Sequence, residues 1–162
     1  MKRWDQRPFE VRNLFNPSFC GVTLFRALQG FEEEISEGMP FSLSMLILPL
    51  CLHKSSRDII VDKPRRQLLK TLEANPQILV GFANRTSTLI PFMFEGLGLL
   101  MELGCFTVTD KGHIKTVDKR VRKSVTGTEE SIACQKVARI VGREFALVAD
   151  RVTIYTSFGI RP

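Results

Sequence analysis

Side chains able to perform acid–base or nucleophilic chemistry are few in this chain of 162 residues. His53 ends an apolar segment and His113 lies among alternating residues, and neither has a serine, cysteine or carboxylate at the spacing of a nucleophile paired with a base. The sequence contains no HExxH, P-loop or GxGxxG pattern. We therefore expect no catalytic residue and no cofactor, so the chain is predicted not to be an enzyme. A small enzyme that depends on His53 or His113 is the third-ranked alternative.

Acids and cysteines do not form a predicted metal site either. The acidic run at 32–34 is typical of a solvated connector, and Glu95 and Glu102, two helical turns apart, have no third ligand at a suitable spacing. The cysteines stand singly in apolar contexts without a CxxC pair: Cys20, Cys51, Cys105 and Cys134. This pattern favours buried, reduced thiols over zinc ligands or disulfides.

Basic side chains are the strongest chemical signal, since the chain has a formal net charge of +6. Such a charge favours contact with an acidic partner, of which nucleic acid is one option among several. The candidates for contact with a DNA backbone are Lys111, Lys115, Lys119, Arg120, Arg122 and Lys123. A second basic group surrounds an earlier loop: Lys54, Arg57, Lys63, Arg65 and Arg66. Because the chain has one Trp and one Tyr, no stacking platform for single strands is indicated. DNA-backbone contact and a merely soluble basic face both remain open.

Helical patterns account for most of the chain. Asn16 can cap a helix whose first residue is Pro17, and Gly30 is a candidate stop. Residues 41–53 are apolar on nearly every side, which predicts a buried helix kinked or broken at Pro49. Further helices are predicted at about 64–74, at 86–103 as the main core helix, and at 128–150 as the most regular amphipathic stripe.

Two terminal segments and one hairpin complete the predicted fold. Residues 1–12 are predicted to be an extended arm, and residues 152–162 an extended tail held to the body by Tyr155 and Phe158. Residues 105–117 alternate around a turn that contains Gly112, which predicts a wing-like β-hairpin. The expected fold is mainly α with a small β-hairpin: a winged-helix-like α+β single domain over residues 1–162.

The longest apolar run, residues 45–52, is too short to span a bilayer and contains Pro49. Residues 1–10 lack the apolar core of a signal peptide. We expect a soluble, cytoplasmic protein without membrane contact.

Three stretches resemble one known family: RPFEVRNLFNPSFCG at 7–21, MPFSLSMLILPLCLHKSSR at 39–57 and FGIRP at 158–162. In these the chain is similar to the middle component of bacterial three-component ABC systems, a family linked to Lamassu-type anti-phage and anti-plasmid defence. The resemblance implies a small non-catalytic adaptor between an SMC-like ABC ATPase and a separate effector, often a nuclease. It also implies that the ATPase senses foreign DNA, and a winged-helix domain would suit a subunit on its heads or neck.

The resemblance marks one set of partner-binding candidates: Phe15, Asn16, Pro17, Phe19, Pro49, His53, Lys54 and Arg57. Two interpretations stay open. These residues either shape two helix ends and a core, or His53, Lys54 and Arg57 project to grip an acidic surface of the ATPase or effector, with Arg57 as the main polar anchor. The alternative function is a winged-helix DNA-binding regulator that contacts the duplex backbone through the basic hairpin.

Overall fold

Three long helices form the core of the computed structural model, which describes residues 3–62 and 67–161. Helix α2 (Pro17–Glu32) lies at the centre and packs against both α7 (Phe82–Glu102) and α8 (Glu129–Val148). The amphipathic stripe at 128–150 is confirmed as α8, and α7 begins four residues earlier than the sequence predicts. The helix predicted to stop at Gly30 runs on to Glu32.

Glycines allow α2 to approach both neighbours at backbone distance. A Cβ at Gly96 of α7 would lie 2.6 Å from the backbone nitrogen of Gly21, and one at Gly30 would lie 2.0 Å from the Arg139 carbonyl oxygen. No side chain fits at such distances, so Gly30 is a packing residue and not the helix stop that the sequence suggested.

Shorter helices surround this core. They are α1 (Phe9–Leu14), α3 (Phe41–Ser44), α4 (Ile47–Cys51), α5 (Lys54–Val61), α6 (Leu68–Ala74) and α9 (Arg151–Ser157), with 3₁₀ turns at Trp4–Gln6 and Pro76–Ile78. Within the segment 41–53 the break lies between α3 and α4 and not at Pro49. Pro49 is the third residue of α4, where no intrahelical N–H donor is needed, so it fits without a kink. Residues 64–66, the start of the predicted helix at 64–74, lie outside the described residues. The same is true of three members of the second basic group: Lys63, Arg65 and Arg66.

The predicted hairpin is present as β2 (Phe106–Val108) and β3 (His113–Thr116), paired antiparallel with Val108 opposite Ile114. A third strand, β1 (Met39–Pro40), pairs with the other edge of β3 to give the order β1-β3-β2. The sequence did not predict β1, because two residues show no alternation. A mainly helical single domain with a small antiparallel sheet is confirmed, and the winged-helix comparison stays a prediction.

Both predicted extended ends are wrong where the structure describes them. The segment after Pro8 is helical in α1, and Pro8 itself is the N-cap residue. The C-terminal segment forms α9, because the Asp150 carboxylate accepts a hydrogen bond from the Thr153 N–H (2.8 Å) and caps it. The expected attachment of this segment is confirmed, since Phe158 is buried and the Tyr155 hydroxyl donates to the Ser42 carbonyl oxygen at 2.7 Å.

The described helices include none that combines the length and apolar character needed to cross a bilayer.

Candidate partner-binding surface

A cleft of about 290 Å³ opens where the start of α2 meets the α4–α5 junction and the start of α8. It brings together residues of the first two family-like stretches, Phe15 and Phe19 from one and Arg57 from the other. Its lining comprises Asn13, Leu14, Phe15, Phe19, Leu52, Arg57, Thr128, Glu130, Ser131 and Cys134. The rim residue Leu14 is 61% exposed, which leaves a large apolar side chain facing solvent.

A second cleft of about 370 Å³ adjoins the first, and Phe15 and Leu52 form a wall of both. It is lined by Phe15, Pro49, Leu52, His53, Asn84, Arg85, Thr88 and Leu89. We call the two clefts together the apolar groove. Five of the eight predicted partner-binding residues line it: Phe15, Phe19, Pro49, His53 and Arg57.

The wall of the groove is held by local and long-range contacts. Asn16 caps α2 by accepting a hydrogen bond from the Ser18 N–H at 2.9 Å, and Pro17 occupies the first helical position. The helix-start interpretation is therefore confirmed for these two residues. The ring of Phe15 packs on Phe92 of α7 with centroids 4.4 Å apart. This contact fixes the wall between the clefts.

Arg57 is turned into the fold, in agreement with the interpretation that it shapes the core and not with the one in which it projects from the surface. Its side chain is 5% exposed. One terminal nitrogen donates to the carbonyl oxygens of Cys51 and Leu52, both at 3.0 Å, and the other to Glu130 Oε1 at 2.6 Å. These carbonyls belong to the end of α4, which leaves backbone acceptors unpaired, and Arg57 fills that need. The guanidinium thus fastens α4, α5 and α8 together.

His53 and Lys54 also have partners within the chain. The His53 Nδ1 lies 2.9 Å from the Ser56 hydroxyl, and Lys54 pairs with Asp58 at 2.6 Å on the exposed side of α5. Burial lowers the pKa of His53, and the nearby positive charges of Arg85 and Arg57 lower it further. His53 therefore favours its neutral form beside the second cleft.

Arg85 is a cation of the groove that the sequence did not single out. It donates to the carbonyl oxygens of Val80 and Ile78, at 2.5 and 2.8 Å, and its guanidinium lies over the Phe82 ring. The predicted core helix began at residue 86, so Arg85 lay outside it. The available signal was a lone basic residue just before a long apolar helix.

The predicted DNA-backbone residues follow one another along one stretch of the chain, from the β2–β3 turn through β3 to the loop at 117–128. Five of the six are exposed, and Lys115 is half-buried because its stem lies beside Gly38. The region 105–128 contains these six cations and two acids, Asp110 and Asp118, so it carries +4 of the chain's +6. Among the described residues none of the six forms an ion pair. We call this region the basic surface.

A buried arginine holds the basic surface to the core. Arg26 of α2 is 4% exposed and donates to the Arg122 carbonyl oxygen at 2.5 Å, to Gln29 and to Gln135. Within the same loop Lys119 has a φ of 63°, a left-handed conformation that side chains other than glycine adopt at a cost. The Arg26 contact therefore joins this loop to α2 at Arg122.

The four cysteines are free and buried, as predicted. Burial raises the pKa of the Cys20 thiol to about 12, which keeps it protonated. Across residues 3–62 and 67–161, no three His, Cys, Asp or Glu side chains come together as a metal site.

Comparison with curated proteins and with solved structures gives no match. A family model described as the ABC-three component (ABC-3C) system Middle Component 3 matches residues 4–162. This span contains both clefts of the apolar groove and the whole basic surface. The chain therefore belongs to the Middle Component 3 family of ABC-three component systems.

Proposed function

We propose that this chain is a non-catalytic adaptor that couples an SMC-like ABC ATPase to an effector of the nuclease class, in a bacterial anti-phage or anti-plasmid defence complex. Family membership supports the general role, since a middle component of an ABC-three component system has partners within that system. The observation that carries the proposal is the apolar groove, where two distant family-like stretches meet at Phe15 and Leu52.

The groove has the properties of a protein interface. Its two volumes of about 290 and 370 Å³ are near the lower limit of small-molecule pockets, which span about 300–1,000 Å³. Its apolar wall and the exposed Leu14 are bordered by polar residues such as Asn13 and Thr128, the arrangement of an interface core with a polar rim. The cations Arg57 and Arg85 are used for internal contacts, which supports binding over catalysis.

Duplex DNA is a second proposed contact, made through the basic surface within the complex. Exposed cations without ion pairs suit the phosphate backbone, which supplies affinity without sequence information. The alternative of a sequence-reading regulator needs a helix that enters a groove of the duplex. Helix α7, which precedes the hairpin, contains one basic residue, Arg85, which bonds to backbone carbonyls, and two acids, Glu95 and Glu102, so it has no row of cations for phosphates. This distribution favours the adaptor.

Co-expression tests the adaptor proposal. A tagged chain is produced with the neighbouring-gene ABC ATPase and effector, and the purified assembly is analysed by native mass spectrometry. We expect a complex of defined stoichiometry that Leu14→Glu weakens by placing a charge on the rim of the groove. Val152→Glu, at a side chain that is 50% exposed on α9, is the matched control and should leave the complex intact. Recovery of this chain alone would refute the adaptor function.

A further inference from the structure

The segment ahead of α2 differs from the rest of the fold in how little of it is buried. Among residues 3–14, which we call the N-terminal strap, Arg7 is the one buried residue. Neither the 3₁₀ turn at Trp4–Gln6 nor α1 contributes a residue to the core. Phe9 and Leu14, at the two ends of α1, are 66% and 61% exposed. Burial of apolar surface therefore contributes little to holding the strap in place.

One side chain of the strap makes its hydrogen bonds to the body of the fold. The Arg7 guanidinium bonds to both carboxylate oxygens of Glu95 on α7. It also lies 5.8 Å from the ring centroids of both Trp4 and Phe92. Within the described part of the chain, the other hydrogen bonds of the strap join its residues to one another or to Phe15. The pair of Arg7 and Glu95 is therefore the latch of the strap.

An open cleft of about 930 Å³ lies between the strap and α7 beside this latch. Among the residues that line it are Trp4 and Arg7 of the strap and Phe94, Gly98 and Glu102 of α7. A Cβ at Gly98 would meet no atom within 4 Å. Elements that pack together in a protein interior leave no such space. The strap is therefore attached to α7 at the latch without being packed along it.

The strap has the properties of a segment that opens separately from the core. A helix of six residues is not stable alone in water, because its few hydrogen bonds do not offset the cost of nucleation. Helix α1 therefore depends on its attachments at the two ends, the latch and Phe15, whose ring packs on Phe92. The Asn16 cap holds the start of α2 independently of the strap. Opening with a hinge before Phe15 leaves the three long helices folded.

The position of the strap determines the shape of the apolar groove. Asn13 and Leu14 line the first cleft, and both belong to α1. They form this wall only while the strap is attached. If the proposed adaptor function holds, a partner seated in the first cleft binds the closed form of the strap and stabilises it by linkage.

We propose that the N-terminal strap is a conformational switch for the apolar groove. Closure of the latch between Arg7 and Glu95 completes the first cleft, and release of the latch removes one of its walls. The coupling is reciprocal, so loss of the latch weakens partner binding although Glu95 lies outside the groove, and a bound partner closes the strap. The apparent dissociation constant rises as the fraction of closed strap falls.

Hydrogen exchange of the isolated chain, followed by mass spectrometry, tests the opening without any partner. We expect the strap amides to exchange while those of α2 remain protected. Glu95→Gln should speed exchange in the strap by about tenfold, the effect of losing roughly one hydrogen bond between charged groups. Glu102→Gln, two helical turns further along α7 in the wall of the same cleft, is the matched control and should leave exchange unchanged. Protection of the strap equal to that of α2, with both lost together, would overturn the proposal.

The co-expressed complex tests the coupling. The partner subunit that Leu14→Glu releases is purified, and its affinity for this chain is measured by biolayer interferometry. We expect Glu95→Gln to weaken binding by about fivefold or more and Glu102→Gln to leave it unchanged. Bound partner should slow exchange at residues 4–7, outside the groove, as well as at residues 13–14 inside it.

The outcomes separate this inference from the function on which it depends. A partner that protects residues 13–14 and leaves residues 4–7 at their free rate would overturn the inference alone. So would a Glu95→Gln variant whose strap opens but which binds the partner as tightly as the parent protein. Failure of any complex to form would overturn the adaptor function and the coupling, while exchange of the isolated chain still decides whether the strap opens.

Discussion

Gly142 of α8 and Ala27 of α2 lie so close that a Cβ atom at position 142 would stand 1.8 Å from the Ala27 carbonyl oxygen. We expect Gly142→Ala to force the two helices apart and to lower the free energy of unfolding by about 3 kcal/mol or more, the upper range for overpacking. Urea denaturation measures the change. An unchanged free energy of unfolding would contradict this helix contact.

Gly98 of α7 is the matched control, because a Cβ there would have no neighbour within 4 Å. Gly98→Ala should raise the free energy of unfolding by about 0.5–1 kcal/mol, since alanine loses less backbone entropy than glycine in a helix. A similar loss of stability in Gly142→Ala and Gly98→Ala would contradict the difference in available space between the two positions.

Arg57 and Glu130 form an ion pair whose members should respond very differently to substitution. Their side chains are 5% and 69% exposed. Arg57→Ala should cost about 3 kcal/mol, because the Cys51 and Leu52 carbonyls lose their donor inside the fold. Glu130→Gln should cost less than about 1 kcal/mol, as for an exposed pair. Equal costs in thermal or urea unfolding would refute the structural role of Arg57.

Arg7 and Glu95 attach the N-terminal segment to α7 through two hydrogen bonds, one of them 2.7 Å long. Arg7 also lies 5.8 Å from the ring centroid of Trp4, the single tryptophan. Glu95→Gln should cost about 2 kcal/mol, because the buried Arg7 loses its counter-charge and Glu95 is partly exposed. We expect a shift in Trp4 fluorescence and faster proteolysis before Phe15. Unchanged fluorescence and proteolysis would contradict this attachment.

The basic surface should bind duplex DNA in a salt-dependent manner. A combined Lys119→Glu and Arg122→Glu variant should weaken binding at each salt concentration and reduce the slope of log affinity against log salt, because fewer counterions are released. Fluorescence anisotropy across a salt series measures both. A combined Lys70→Glu and Lys136→Glu variant, outside the basic surface, is the control for net charge. Equal effects of the two variants would refute a contact localised to the basic surface.

Buried thiols should make the protein less stable at alkaline pH. The pKa of Cys20 rises from 9.0 to about 12 on folding, so its stabilising contribution is complete below pH 9 and falls as the pH rises toward 12. Cys20→Ala should reduce the slope of unfolding free energy between about pH 9 and about pH 10.5, although it lowers stability overall by removing a buried side chain. An unaltered slope would contradict the burial of this thiol.

Local chemistry made several elements predictable from the sequence. The start of α2 follows from Asn16 and Pro17, whose effect on the backbone needs only the next few residues. The stripe of α8 and the hairpin at Gly112 follow from periodicity in the same way. The basic surface was predictable because its charges are close together in the sequence.

Only the tertiary structure decided where the polar side chains of the groove point. The sequence left open whether Arg57 projects or lies inside, because its partner Glu130 is 73 residues away in the sequence. The sequence predicted a helix stop at Gly30, whereas the structure shows that glycine is needed there because α8 packs against it. Arg85 became a candidate only when the end of α4 lay beside α7. Residue types and spacing determine which elements form, but the pairing of their faces depends on contacts between distant residues.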